Sequence, residues 1–193
     1  SMMNDLETVG NAQISTSVKK YGTGSMYFDG AGDYLTSGGG TSSLYAFGTG
    51  DFTLEIWAYF NVVNAQQVVL DFRSSPSDTG GSLYLTNTGS IRWYVQGSDR
   101  IVGGTLSATT WYHLVVCRSS GSTKLFINGT QSGSTYADTF SYICGDKRPY
   151  VGALSDGTGT LYLNGYIDDL RITKGYARYT TTFTPPTAAL PNY

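Results

Sequence analysis

Three aspartates, Asp29, Asp33 and Asp168, are the side chains of this sequence best suited to hold a metal ion. Asp168 lies in the stretch NGYIDDLRITKGYARY, residues 164–179, whose alternating apolar side chains are typical of a β-strand. Strict alternation places it on one face with three apolar residues: Tyr166, Leu170 and Ile172. A carboxylate on such a face must be ion-paired, hydrogen-bonded or metal-bound, because burying it alone is costly.

The other two aspartates flank a glycine-rich turn in the sequence YFDGAGDYL. Calcium takes roughly six to eight oxygen ligands from carboxylates, carbonyls and water. Asp29 or Asp33, together with Asp168, would supply the charged ligands, and added calcium would then raise the melting temperature. The alternative is that Asp168 or Asp169 accepts backbone hydrogen bonds from the 29–33 turn. No cofactor is required under that second interpretation.

Few residues are available for catalysis. Glycoside hydrolysis needs two carboxyl groups across the scissile bond, and Glu7 and Glu55 are the only glutamates. Glu55 stands between Thr53 and Trp57 on an aromatic strand face, without a second acid, so we expect it to be hydrogen-bonded and structural. His113 is the single histidine, lies within the strand-like run TWYHLVV and is also expected to be structural. We therefore predict that the chain is not an enzyme.

Aromatic residues are abundant, with 16 tyrosines and 3 tryptophans. Aromatic rings stack on the faces of sugars, while nearby polar groups bind the hydroxyls. Four aromatic residues on predicted strands are candidates for ligand contact: Trp57, Tyr59, Trp93 and Tyr94. The competing interpretation of each is packing in the core or against a sheet face.

The overall charge excludes some partners. The net charge is −2 and only 13% of residues are charged, so the chain has no basic surface of the kind that binds nucleic acid. No run of about 20 apolar residues occurs, and we predict no membrane insertion.

Short alternating runs indicate an all-β fold. Several strands are predicted from this pattern: 51–60, 66–74, 81–89, 90–98, 110–119, 123–133, 148–154 and 165–173. No segment has the apolar spacing of a helix. Short strands at this spacing, separated by turn residues, predict an antiparallel sandwich or barrel.

One turn is marked by Asn128-Gly129, which lies between two predicted strands. Asn-Gly favours a type I′ hairpin because both central residues adopt positive φ. Asn128, Gly129 and Thr130 also form a glycosylation sequon. The hairpin is the favoured interpretation.

The chain divides into three parts by composition. Residues 1–19 are an N-terminal segment that opens with the cloning-scar-like SMM and contributes a first strand, and residues 20–180 form the domain. Residues 181–193, with three prolines, form a C-terminal strap or linker. Cys117 and Cys144 are too few for a disulfide framework, and we expect them to remain unbridged.

The order of five motifs resembles the laminin G-like, or concanavalin A-like lectin/glucanase, superfamily, in the variants found in phage and bacterial surface proteins. The motifs are SMYFDGAGDYL, FGTGDFTLEIWAYF, TTWYHLVVCRSSGSTKLFINGT, YVGAL and LNGYIDDLRITKGYARYTTTFTPP. The resemblance covers about residues 20–186 and implies a jelly-roll sandwich of two antiparallel sheets. It also implies a binding module of an extracellular, cell-surface or virion protein. Many relatives bind glycans, some bind calcium at a rim, and the enzymatic branches use a glutamate pair that this chain lacks.

Three functions follow as hypotheses. The first is a non-catalytic carbohydrate-binding or adhesion module whose partner is a glycan or cell-surface polysaccharide. The second is a structural or oligomerisation module of a phage tail or capsid that contacts other virion or surface-protein domains. The third is a glycoside hydrolase with atypical carboxylates, in which Glu55 would be essential.

Overall fold

The structure is a computed structural model that describes residues 6–37, 42–145, 149–154 and 161–191. These residues form two packed antiparallel sheets. The predicted all-β jelly-roll sandwich is therefore confirmed. The one helix among the described residues is the single turn α1 (Ser42–Tyr45). The described part of the chain contains no helix with the length and apolar character needed to span a membrane.

The first sheet has seven strands, numbered here in chain order. Across the sheet the order is β1 (Leu6–Val9), β4 (Tyr34–Ser37), β14 (Tyr150–Val151), β6 (Gln67–Asp71), β7 (Gly81–Leu85), β8 (Ser90–Val95) and β9 (Ser98–Thr105). The strand predicted over 148–154 is only the two-residue β14, and residue 148 lies outside the described residues. Gly152 follows at once with a φ of +87°, which turns the chain out of the sheet.

The second sheet has eight strands. The order along its path is β12 (Thr130–Gln131), β11 (Ser122–Ile127), β10 (Trp111–Ser119), β5 (Phe52–Phe60), β15 (Asn164–Lys174), β3 (Ser25–Asp29) and β2 (Gln13–Ser15). The short strand β13 (Tyr136–Ala137) also pairs with β11.

The core lies between the two sheets, and β5 shows why. Its alternate apolar residues are at most 1% exposed and face the core: Phe52, Leu54, Ile56, Ala58 and Phe60. Burial of each large side chain among them stabilises the fold by about 1.5–3 kcal/mol. From the other sheet Leu83 and Trp93 join the same cluster. Gly81 makes room for that indole, because a Cβ there would lie 2.0 Å from Trp93.

The Asn128-Gly129 hairpin forms as predicted. The φ angles are +50° at Asn128 and +81° at Gly129, as a type I′ turn requires. Ile127 and Thr130 pair across the turn. The Asn128 side chain also accepts a 2.8 Å hydrogen bond from the backbone nitrogen of His113, which ties the turn to β10.

A β-bulge interrupts β15 between Asp168 and Arg171. Asp168 pairs with Trp57, and Arg171 pairs with Glu55, so three steps on β15 match two steps on β5. Asp169 occupies the inserted position with a left-handed φ of +46°. Asp168 and Arg171 consequently face the same side, the outer face of the eight-stranded sheet.

The bulge corrects the face assigned to Asp168. Leu170 and Ile172 turn inward and pack against the core, whereas Asp168 lies outside with Tyr166. The expectation that Asp168 shares a face with Leu170 and Ile172 is wrong, because strict alternation fails across an inserted residue.

The segment after β15 crosses the outer face of the eight-stranded sheet. The rings of Tyr179 and Phe183 stack at 3.8 Å and cover a small cluster of Val115, Cys117 and Phe126. Backbone contacts hold the segment down: the Phe183 nitrogen donates to the Gly129 carbonyl at 3.0 Å.

The two cysteines are both free and buried. Cys117 lies beneath the C-terminal segment, where its Sγ is 3.3 Å from the Thr53 hydroxyl. Cys144 belongs to the core between the sheets. The thiols are therefore on opposite sides of the eight-stranded sheet.

Candidate functional site

The outer face of the seven-stranded sheet carries a cavity of about 190 Å³, which we call the sheet pocket. The residues that line it combine rings, polar groups and aliphatic side chains, and include Gln66, Val68, Arg73, Ser82, Tyr84 and Tyr94. It is open to solvent, and its walls rise from β6, β7 and β8.

Strand register brings these side chains together. Ser82 and Tyr84 are two residues apart on β7 and so face the same side. Ser82 pairs with Tyr94 on β8, and Tyr84 pairs with Arg92. Two cross-strand pairs thus place two tyrosines, a hydroxyl and a guanidinium on one outer surface.

An ion pair forms one wall. Arg73 is 5% exposed and donates to both carboxylate oxygens of Asp71, from Nε at 2.7 Å and from an Nη at 3.1 Å. Its guanidinium carbon lies 4.7 Å from the centre of the Tyr94 ring. This cation–π contact and the bidentate pair fix both the arginine and the tyrosine.

The second tyrosine is held by an acid. The Tyr84 hydroxyl donates a 2.8 Å hydrogen bond to Asp99, whose other oxygen lies 3.9 Å from Arg92. Burial raises the pKa of the Tyr84 hydroxyl, and the adjacent Asp99 carboxylate raises it further. Tyr84 therefore stays protonated at neutral pH and keeps its ring in a fixed position.

Ser82 has an unusual environment. The residue is 1% exposed, and its Oγ has no hydrogen-bond partner within the described structure. A buried hydroxyl without a partner costs about 1–3 kcal/mol. The pocket can therefore accept a ligand that offers both an apolar face for the rings and a hydroxyl for Ser82.

The family model described as the concanavalin A-like lectin/glucanases superfamily, of laminin G type, matches residues 29–178. The chain belongs to this superfamily. The match covers β4 to β15 and so includes every strand that forms the sheet pocket. A search of curated proteins found no match.

Solved structures share the fold of this superfamily member. The receptor binding domain of the botulinum neurotoxin C/D mosaic serotype is 18% identical with a TM-score of 0.66, and the alignment covers 90% of this chain and 44% of that one. The chain thus spans less than half of the toxin domain.

Two smaller domains are similar over most of their own length. Domain 4 of AbnA, a GH43 extracellular arabinanase from Geobacillus stearothermophilus in complex with arabinotriose, is 16% identical, with a TM-score of 0.62 over 89% of this chain and 83% of that one. The Ruminococcus gnavus IT-sialidase CBM40, bound to α2,3 sialyllactose, is 18% identical, with a TM-score of 0.57 over 70% and 80%.

The four aromatic candidates lie in three different places. Tyr94 lines the sheet pocket, but its neighbour Trp93 points the other way and is 0% exposed in the core. Trp93 therefore offers no face to an external ligand. Trp57 and Tyr59 lie on the outer face of the other sheet. Trp57 is 5% exposed, and its ring is contacted by Lys20 at 4.0 Å, His113 at 5.1 Å and Tyr21 at 5.8 Å.

The three aspartates do not converge. Asp33 accepts hydrogen bonds from the backbone nitrogens of Asn11 and Asp29. Asp29 pairs with Asn164, four residues before Asp168 on β15, a separation of about 13 Å along the strand. That distance is too long for one ion to bind Asp168 together with Asp29, or together with Asp33, whose carboxylate is bonded to the Asp29 nitrogen. Within the described ranges, no group of three metal-ligating side chains occurs.

Asp168 instead fixes a loop, although not the 29–33 turn that the sequence suggested. Its Oδ2 accepts hydrogen bonds from the backbone nitrogens of Lys20 and Tyr21 at 2.9 and 3.0 Å. Asp169 accepts one from the backbone nitrogen of Leu190 at 2.9 Å. The adjacent aspartates thus attach two distant segments of the chain to β15.

Glu55 lies at the centre of a buried polar cluster beneath the C-terminal segment. It is 0% exposed and accepts hydrogen bonds from Arg171 at 2.6 Å and Tyr179 at 2.8 Å, while His113 Nε2 lies 3.5 Å away. Burial raises the pKa of Glu55, but the contacts with His113, Arg171 and Tyr179 outweigh burial and lower it. Glu55 is therefore an ionised anchor for the segment that covers it.

Sequence reasoning missed most of the sheet pocket. The missed lining residues include Arg73, Ser82 and Tyr84, and Asp99, which holds Tyr84 and lies near Arg92, was missed as well. Alternation within GSLYL would have placed Ser82 and Tyr84 on the same face of their strand. Alternation within SIRWYV would likewise have placed Arg92 and Tyr94 on the same face of theirs. The register that pairs β7 with β8, and so brings these four side chains onto one surface, has no local signal in the sequence.

Proposed function

We propose that this domain recognises glycans without cleaving them, through the sheet pocket. The observation that carries the proposal is the unpartnered Ser82 hydroxyl, buried beside the rings of Tyr84 and Tyr94. A sugar presents an apolar face and a rim of hydroxyls. It would stack on a ring and supply the hydrogen bond that Ser82 lacks.

The volume of the sheet pocket limits the size of the ligand that it can hold. A cavity of about 190 Å³ is smaller than the roughly 300–1,000 Å³ that encloses a drug-sized ligand. It suits one sugar unit, a terminal residue or a side branch, with the rest of the glycan in solvent. Arg73 and Arg92 are balanced by Asp71 and Asp99, which favours an uncharged sugar.

The acids near the pocket support binding rather than hydrolysis. Asp71 is held by both nitrogens of its bidentate partner Arg73, and Asp99 accepts from Tyr84. Hydrolysis needs one carboxyl group to donate a proton and a second to activate water or attack the sugar. Glu55, the remaining candidate, is buried on the opposite sheet beneath Tyr179.

The structural relatives support a glycan as the ligand, since two of those compared are bound to arabinotriose, which is uncharged, and to sialyllactose, which is anionic. We place the domain, as part of the proposal, in a larger extracellular, cell-surface or virion protein, where it would serve in adhesion. Binding of one sugar unit is weak, so several copies or domains would provide the useful avidity.

A glycan array tests the proposal. Wild type should bind a set of neutral glycans, and Tyr94→Ala should lose at least about tenfold in affinity, the equivalent of about 1.4 kcal/mol. Tyr176→Ala is the matched control, because that tyrosine is 62% exposed and outside the pocket. Absence of wild-type binding, or equal binding by Tyr94→Ala, would reject the sheet pocket.

A further inference from the structure

The outer face of the eight-stranded sheet carries four aromatic rings in one line, which we call the aromatic row. Cross-strand register aligns Trp111 with Tyr59, Tyr59 with Tyr166, and Tyr166 with Tyr27. Successive ring centres lie 5.4, 5.5 and 5.0 Å apart. The row spans four neighbouring strands, a length of about 14 Å at ordinary strand spacing.

The row is partly exposed, on a face that the C-terminal segment covers elsewhere. All four of its rings are of intermediate exposure. The C-terminal segment covers a different part of the face, where Tyr179 and Phe183 pack on Val115, Cys117 and Phe126. The fold therefore hides one set of aromatic and apolar side chains and leaves the row accessible.

The aromatic row is uncharged, and three of its four rings end in a polar hydroxyl group. Among the described residues, no hydrogen-bond partner is found for the hydroxyls of Tyr27, Tyr59 and Tyr166. A trough of about 350 Å³ continues the row beyond Tyr27 and Tyr166, and its walls are uncharged: Gln13, Ile14, Ser15, Thr16 and Ser17. The rings and the trough thus offer stacking faces, hydroxyls and an amide, with no formal charge among them.

We propose that the aromatic row is a second glycan-binding surface, which takes the backbone of an extended, uncharged polysaccharide laid across the strands. Its rings stack on successive sugar units, and the tyrosine hydroxyls and the trough bind the sugar hydroxyls. An aliphatic protein partner is a poorer match, because the row contains no aliphatic side chain and Ile14 is the single aliphatic residue in the trough lining. An anionic polymer is also a poorer match, because no residue of the row or of the trough lining is charged, and the Lys19 ammonium at the trough edge is bonded to the Thr16 carbonyl at 3.0 Å.

The second surface does not depend on the sheet pocket. The pocket lies on the outer face of the seven-stranded sheet and the row on the outer face of the eight-stranded sheet, with the core between them. The pocket suits a single sugar unit and the row suits an extended chain. A domain with both surfaces would bridge two glycan chains or bind one polymer more tightly through two contacts.

Affinity electrophoresis tests the row directly. Gels would contain a soluble neutral polysaccharide, such as an unbranched glucan, xylan or arabinan, or an anionic one of similar length. We expect a neutral polymer to retard the wild type and the anionic polymer to leave it unaffected. Trp111→Ala and Tyr27→Ala, at the two ends of the row, should each weaken retardation by about fivefold to tenfold.

Controls separate the row from the pocket and from misfolding. Tyr176→Ala, at a 62% exposed position outside both surfaces, should retain wild-type retardation. Trp111→Ala should also weaken retardation in the Tyr94→Ala background, because the row binds without the sheet pocket. Tyr166→Phe keeps the ring and should lose less than Tyr166→Ala, and all variants should show wild-type sheet content by circular dichroism. The row is rejected if no neutral polymer retards the wild type, or if both end variants migrate like it. A concentration-dependent dimer that Trp111→Ala abolishes would also reject it, because the row would then bind a second copy.

Discussion

The hydroxyl of Tyr179 donates a 2.8 Å hydrogen bond to the carboxylate of Glu55. The acceptor belongs to a central strand and the donor to the C-terminal segment that crosses it. Because Glu55 is fully buried, this bond is shielded from water and joins the segment to the sheet. The acid that the hydrolase hypothesis requires is therefore part of the packing of the domain.

Loss of the Glu55 charge should destabilise the domain without changing glycan recognition. Glu55→Gln leaves the Arg171 guanidinium without its anionic partner. Breaking a fully buried pair costs about 3–5 kcal/mol, and the loss here should be smaller because the Arg171 side chain is 26% exposed to water. Urea unfolding followed by fluorescence would measure the loss, and array binding at low temperature should be unchanged.

A matched pair of tyrosines provides the control. Tyr179→Phe removes only the hydroxyl bonded to Glu55, and we expect a loss of about 1.5 kcal/mol. Tyr176→Phe, three residues earlier and 62% exposed, should change stability by less than about 0.5 kcal/mol. Equal stability of Glu55→Gln and wild type would contradict the anchor role.

The free energy of unfolding should decrease at low pH, because the Glu55 carboxylate becomes protonated. Because the pKa of Glu55 is lowered on folding from its ordinary value of 4.5, its contribution is complete above pH 4.5 and is lost as the pH drops through the lower folded value. Asp78, whose pKa is also lowered, acts in the same direction, whereas the raised pKa of Asp169 acts in the opposite one.

The contribution of Glu55 to the pH dependence of stability is the difference in unfolding free energy between wild type and Glu55→Gln. Unfolding free energies of wild type and Glu55→Gln, measured from pH 3 to 7, should differ most at pH 7 and converge in acid. A difference that stays constant across this range would show that Glu55 does not titrate as described.

Calcium should not act through the three aspartates, because their side chains serve separate loops. We expect equal melting temperatures in calcium and in a chelator. Asp168→Ala should be less stable in both by about 1–3 kcal/mol, since it frees the backbone nitrogens of Lys20 and Tyr21. A calcium-dependent rise that Asp29→Asn and Asp168→Asn both remove would restore the metal site.

We expect that Gly81 cannot be replaced by a larger residue. Substitution at this position tests the strand register beneath the sheet pocket. A Cβ at this position would lie 2.0 Å from the Trp93 ring, so Gly81→Ala should cost about 1–3 kcal/mol and weaken glycan binding at the adjacent Ser82. Gly104→Ala is the control, because its Cβ would meet nothing closer than 3.4 Å. Denaturant melts compare the two, and equal losses would contradict the packing described.

Much of the fold followed from the sequence because its signals are local. The alternation of β5 fixed which residues enter the core, and Asn128-Gly129 marked its hairpin through positive φ. Strand β9 was missed, since its glycines Gly103 and Gly104 interrupt the alternation. The bulge at Asp169 was also not predicted, because an inserted residue does not change the composition of a strand.

The candidate sites depend on contacts between distant segments, which local patterns do not encode. Tyr94 was identified as an aromatic candidate, yet only the pairing of Ser82 with it creates the floor of the sheet pocket. Tyr59 was likewise identified alone, whereas the aromatic row needs its neighbours on three other strands. Burial of Glu55 required a segment about 125 residues further along to fold over it.

A crystal structure of the domain soaked with the neutral glycan that binds best on the array is the most direct test of the sheet pocket. We expect a sugar ring stacked on Tyr84 or Tyr94, with one of its hydroxyls within hydrogen-bond distance of Ser82 Oγ. An empty sheet pocket, with sugar bound only at loops or nowhere on the domain, would contradict it.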